Sequence, residues 1–184
     1  VPTMAICRVL SPERRKAVNA SLAAVNREFK GTSDVYHVAH VLHRKVGAEK
    51  IKEKLKYSLD GLKIAVQTGC HALWPTDVYK VTEDNPYYPT MLRELCEATG
   101  ATVPHYSRLE GCCGMGGSFN LQYYGISSKI GRQKRDNIVA TGCSSIATGC
   151  PACMLQISDA LSQAGDRITV RHPIEIYAER LKAP

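Results

Sequence analysis

A chain of 184 residues, 44% hydrophobic and 22% charged, has room for one core-bearing globular domain and an appended helical arm. That size needs no disulfide staples. No apolar run reaches the roughly eighteen residues of a membrane-spanning helix, and the opening Val1-Pro2-Thr3-Met4-Ala5 lacks the charged and apolar regions of a signal peptide.

Ser11-Pro12-Glu13 is a helix start, with Ser as N-cap, Pro in the first turn and an acid at the positive dipole end. Ala17, Leu22, Val25 and Phe29 predict an amphipathic helix that ends near Lys30-Gly31. A second helix is expected over 35–46, stopped by Gly47, and a third, charged one over 48–57. Residues 1–60 hold twelve Lys/Arg against six Asp/Glu, so most of the net charge of +7 lies here; residues 61–184 hold twelve against eleven. The basic stretches Arg14-Arg15-Lys16, Arg44-Lys45 and 50–56 read as a solvated face, or as a docking surface for an acidic partner protein or an anionic membrane. They lack interleaved aromatics, so nucleic-acid binding is not expected. His37, His40 and His43 fall on this basic stretch and read as surface histidines.

The texture then changes. Strands are expected at 62–66, at 101–106 (weakened by Pro104), at 145–148 and at 168–170. Helices are expected over 90–99 and 126–140, and from Pro151 and Pro173 onward; residues 75–89 read as irregular. This alternation predicts an α/β fold: a small parallel or mixed sheet with flanking helices (61–184), preceded by a helical arm or remnant of another domain (1–60). Cys70 and Cys150 each follow a strand, so both are placed at the carboxyl edge of the sheet.

Five of the eight cysteines form one spaced set, C-x41-CC-x36-C-P-A-C, made of Cys70, Cys112, Cys113, Cys150 and Cys153. Clustered thiolates in a reducing compartment bind soft metals or iron–sulfur clusters, so a cytoplasmic location is expected. Five thiols exceed the four of a tetrahedral structural zinc, which leaves a multi-iron cluster or zinc with one thiol free. The remaining cysteines read differently. Cys96 lies on an apolar helical face as a small core residue, Cys143 as structural, and Cys7 as either a remnant ligand or a plain residue. The glycines after Cys113 lack the lysine and spacing of a nucleotide loop. Trp74 and Tyr123-Tyr124 read as packing residues or as the lining of a substrate channel.

The cysteine spacing, with Thr68-Gly69-Cys70-His71-Ala72-Leu73-Trp74-Pro75 and Gly111-Cys112-Cys113-Gly114-Met115-Gly116-Gly117, resembles the CCG cysteine-rich domain. That domain occurs twice in the B-subunit of heterodisulfide reductase and in related components of succinate or fumarate reductases and of glycolate or lactate oxidases. Residues 26–38 are similar to the linker before the second copy. The resemblance implies a non-cubane [4Fe–4S] cluster held by Cys70, Cys112, Cys113, Cys150 and Cys153. Cys113 is expected to be catalytic, and His71, adjoining Cys70, reads either as a hydrogen-bond partner of a cluster sulfide or proton donor near substrate, or as a helix-capping or loop residue. The spacer of 41 residues is long for the family, and one motif is present where the heterodisulfide reductase component carries two.

Three functions follow as expectations. In the first, an oxidoreductase subunit takes electrons from a ferredoxin-like or flavin-containing partner and reduces a small-molecule disulfide. In the second, the chain is an electron relay in a 2-hydroxyacid oxidase or quinone-linked reductase, with docking to a membrane component. In the third, it is a zinc-stabilised interaction module without redox work.

Overall fold

The computed structural model describes residues 12–32, 36–73 and 84–181. The Ser11 cap, Cys7 and Trp74 lie outside the described residues.

Helix α1 (Pro12–Ala23) starts where Pro12 and Glu13 direct it but stops short of the expected Lys30. Asn26 takes a left-handed φ of 53°, which ends the helical hydrogen bonding. The chain then turns back on the helix. The Asn19 amide brackets Phe29, donating to its carbonyl at 3.2 Å and accepting its N–H at 2.8 Å. No residue of α1 is buried, so Ala17 and Leu22 do not form a core-facing stripe among the described residues.

Helix α2 (Val38–His40) runs directly into a π-helical turn, Val41–Gly47, and then into α3 (Ala48–Lys54). The three histidines here are not the solvent-facing group expected. His40 is buried and stacks on Tyr36, and His43 Nε2 meets Glu94 Oε2 at 2.5 Å. The reason is tertiary: Ala39 and Ile51, with Leu42 and Leu55 beside them, pack with Met91, Leu95 and Tyr177 in a small second core. Tyr177 closes it by donating its hydroxyl proton to the Leu95 carbonyl at 2.5 Å.

The sheet holds three parallel strands, β1 (Ile64–Val66), β2 (Ser145–Ala147) and β3 (Thr169–Arg171), in that order. Ile64 pairs with Ser145, and Ser145 with Thr169. The predicted α/β architecture is therefore present, with one strand fewer than expected. Residues 101–106 contribute only a bridge between Lys63 and Thr102, because Pro104 has no N–H to extend the ladder. β1 is buried throughout and β2 on Ile146 and Ala147, which is why they read as short unbroken apolar runs rather than alternating ones.

Parallel neighbours need crossovers. Between β1 and β2 run α4 (Met91–Glu97), the short α5 (Phe119–Gln122) and α6 (Tyr124–Val139); α7 (Pro151–Ala164) links β2 to β3, and α8 (Pro173–Leu181) closes the chain. Helices α6 and α7 lie against each other and are pinned by Arg135 Nε on Asp166 Oδ2 at 2.5 Å. The main core joins the strands to Ile138, Ile157, Leu161 and Ile176. Among the described residues no helix is long and apolar enough to cross a membrane.

Candidate metal centre

Three segments deliver thiols to the carboxyl side of the sheet, two from the β1–β2 connection and one directly after β2. Cys70 opens a 3-10 turn, Cys70–Ala72, four residues beyond β1. Cys150 stands three residues beyond β2 as the N-cap of α7, with Pro151 opening the helix and Cys153 in its first turn. Cys112 and Cys113 come from the glycine-rich loop before α5. Gly69 lets the first two segments touch: its φ is 85°, and a Cβ there would lie 3.1 Å from Cys150 Cβ and 3.9 Å from Cys153 Sγ.

The five thiols form one mutually interacting set. Cys70 Sγ lies 4.0 Å from Cys112 Sγ, and Cys112 interacts with Cys113, Cys113 with Cys153, and Cys153 with Cys150. Cys70 also feels the charge of Cys113 and Cys150, so the path closes on itself. The adjacent pair splits between two environments: Cys112 is exposed, whereas Cys113 is 3% exposed and packs with the main core. The set is thus held from inside and open to solvent at one side.

Hydrogen bonding within the set concentrates negative charge on Cys112. Hydrogen bonds from the Cys113 and Cys70 thiols, with the Gly114 N–H at 3.3 Å, hold Cys112 far below the usual thiol range. Cys70, donating to that thiolate, is pushed up, and Cys153 is pushed up by its bonds to Cys113 and Cys150 and by burial. Five thiolates crowded this closely need positive charge beside them. Part of it is on hand in the first turn of α7 and in Lys134, whose charge reaches Cys112, Cys113 and Cys153. This all-sulfur donor set fits an iron–sulfur cluster. Among the described residues no three His, Cys, Asp or Glu side chains are arranged around a point to hold a single metal ion.

Behind the thiols lies a polar frame that the sequence pattern did not reveal. Tyr106 donates its hydroxyl proton to the Val66 carbonyl at 2.8 Å and to Gln67 Oε1 at 3.1 Å, and Gln67 Nε2 donates to the Gly111 carbonyl at 3.2 Å. This ties the segment before Cys70 to the segment before Cys112. On the other flank Ser127 donates to the Gly114 carbonyl at 2.8 Å, and Asn120 and Gln156 complete that knot around Ser127. One signal was available: Ser127, Gly131, Lys134 and Ile138 recur on the buried stripe of α6, which puts a lysine where an apolar residue is expected. Nothing local marks Gln67 or Tyr106.

Cys96 and Cys143 are both buried and lie outside the interacting set. Cys143 leans on the Ile138 carbonyl, and burial pushes the Cys96 thiol up to about 12. A Cys96→Ala variant is expected to lose about 1–2 kcal/mol in urea unfolding and to keep full metal-binding capacity. A fall in bound metal would place Cys96 in the centre. His71 sits in the 3-10 turn directly after Cys70. Tyr123 and Tyr124 are exposed at the junction of α5 and α6.

Residues 64–158, which enclose all five thiols, match the cysteine-rich domain family CCG. The chain is 44% identical over 175 residues to the heterodisulfide reductase B-subunit-like protein of Archaeoglobus profundus, covering 91% of this chain and 58% of that protein. It is 35% identical over 145 residues to the B-subunit of the ferredoxin:CoB-CoM heterodisulfide reductase of Methanosarcina mazei, covering 79% and 47% of the two chains. It is also 30% identical over 178 residues to the 8-methylmenaquinol:fumarate reductase membrane anchor subunit of Wolinella succinogenes, covering 91% and 59%. The chain spans about half to three fifths of the length of the curated relatives it matches.

Proposed function

The chain belongs to the CCG cysteine-rich domain family, and from that premise we propose that it is an iron–sulfur subunit of a multi-subunit oxidoreductase. One observation carries the reading: five thiols, delivered by three segments far apart in sequence, meet in a single interacting set at the carboxyl edge of a parallel sheet. Cys70, Cys112, Cys113, Cys150 and Cys153 would hold a non-cubane [4Fe–4S] cluster, and residues 61–184 form the unit that carries it. A cluster held by these thiols would supply the electron transfer needed to cleave a sulfur–sulfur bond. Splitting a disulfide into two thiols takes two electrons, which a ferredoxin-like or flavin-containing partner provides, and two protons. His71, beside Cys70, is the proposed donor of one proton to a departing thiolate, and solvent reaching the exposed Cys112 side supplies the other. The exposed side at Cys112 gives a small-molecule disulfide its approach, while Cys113 and Cys153 seal the inner side from water. Clustered thiols of this kind belong in a reducing compartment, and the proposed location is the cytoplasm.

The decisive experiment is anaerobic purification followed by iron, zinc and acid-labile sulfide analysis with an absorption spectrum. About four irons and matching sulfide per chain are expected for this cluster type. One zinc without sulfide, even after anaerobic reconstitution, would overturn the reading and leave a structural module. A loaded cluster whose spectrum ignores added disulfide and thiol would favour the electron-relay role. The fumarate reductase relative makes that role the second reading.

A further inference from the structure

Lys134 is the least expected side chain in the main body of the fold. It comes from the middle of α6, is 3% exposed, and among the described residues has no carboxylate bonded to its ammonium. Its Nζ instead donates to two backbone carbonyls of the segment leading to the cysteine pair: Arg108, and Leu109 at 3.2 Å. Arg108 is itself strained, with a left-handed φ of 58°, and its carbonyl also accepts the Gly111 N–H at 3.0 Å. The ammonium further faces the Tyr106 ring, 5.3 Å from its centroid, and Tyr106 in turn braces the segment before Cys70. A charge so placed is held in position by carbonyls and an aromatic face, and it reaches Cys112, Cys113 and Cys153. Burial brings the lysine down to about 8, while the neighbouring Glu110 and the thiols favour its charged form.

We propose that Lys134 is a positioning residue of the metal centre: a fixed positive charge behind the Cys112–Cys113 loop that raises the reduction potential of the cluster. The inference rests on the function proposed above. An electron entering the cluster makes it one unit more negative. No proton moves, Lys134 stays an ammonium, and a buried cation stabilises the reduced form more than the oxidised one. Removing the charge therefore lowers the potential. The Lys134 bonds to Arg108 and Leu109 also keep the charge at a set distance from the thiols.

The test uses the full chain, reconstituted anaerobically with iron and sulfide and titrated with dithionite while the electron paramagnetic resonance signal is followed. Lys134→Gln keeps a donor for one carbonyl, Lys134→Met removes both charge and donors, and Lys134→Arg restores the charge. Tyr106→Phe loosens the frame without touching the charge. The neutral variants are expected to load like the parent and to lose at least about tenfold in reduced-to-oxidised ratio at a given potential, or about 59 mV for a one-electron couple. Arg is expected to restore the parental value, and Tyr106→Phe to keep it. Neutral variants at the parental potential, or a Tyr106→Phe shift as large as theirs, overturn the proposal. If both neutral variants fail to fold, the charge serves the fold, and the proposal is equally overturned. A parent chain that takes up no iron and sulfide refutes the functional reading itself, and the inference with it.

Discussion

If the proposed function holds, replacing Cys113 by serine is expected to abolish iron and sulfide loading while leaving the chain folded. Cys113 is the hinge of the thiol set, in contact with Cys112 on one side and Cys153 on the other, and it is the thiol that reaches into the core. A serine hydroxyl is a hard, weakly acidic donor that cannot replace a thiolate toward iron. Changes to residues that merely hold a ligand already lower metal affinity about 10–100-fold, so losing a central ligand should cost at least as much. The fold should survive, because the exchange leaves a small buried hydroxyl with the neighbouring thiols and the Met115 N–H for partners, a cost of about 1–2 kcal/mol. Iron and sulfide content, the absorption spectrum and a urea titration check the two halves together. A variant that retains cluster and spectrum would remove Cys113 from the ligand set. One that no longer folds would make it a core residue first.

Gly114→Ala is expected to be still more damaging, for a backbone reason. Gly114 has a φ of 99°, which side-chain-bearing residues rarely adopt. An added Cβ would lie 2.5 Å from the Ser127 carbonyl oxygen and 3.2 Å from the Gly131 backbone nitrogen, both in α6. Neither atom can yield without bending a helix, and the Ser127–Asn120–Gln156 knot holds that helix at this spot. Strain and overlap together should cost roughly 2–5 kcal/mol and drive the loop, with Cys112 and Cys113, away from Cys153. Gly117→Ala is the internal control. Its φ of 60° is also left-handed, but a Cβ there meets nothing within 4 Å. It should cost only about 1–2 kcal/mol and leave cluster content intact. Unfolding curves and sulfide analysis of the pair separate crowding from conformational preference. Equal effects at the two positions would mean that the contact with α6 is unimportant.

These expectations differ in how readily the sequence exposes them. The thiol set is legible because metal chemistry demands particular side chains at positions a short loop can bring together, and Cys-Cys flanked by glycines has little other use. Placing Cys70 and Cys150 at one sheet edge follows from the apolar runs just before them. The helix limits were less legible. The early stop of α1 depends on one asparagine in a left-handed conformation, and the histidines of 37–43 are drawn inward by Glu94 and the apolar residues of α4, some fifty residues later. Residues 101–106 have strand-like composition, yet with Pro104 in the run they pair at a single bridge.

The sequence alone determined the family, the α/β frame and the spaced set of five thiols proposed as ligands, because residue type and hydrophobic period are local properties of the chain. Only the tertiary structure decided that Cys112 faces solvent while Cys113 faces the core. It also decided that Gln67 and Tyr106 lace two distant segments together, and that Lys134 lies buried beside sulfur. Burial and charge proximity depend on which segments meet after the crossovers close, and no local pattern records that.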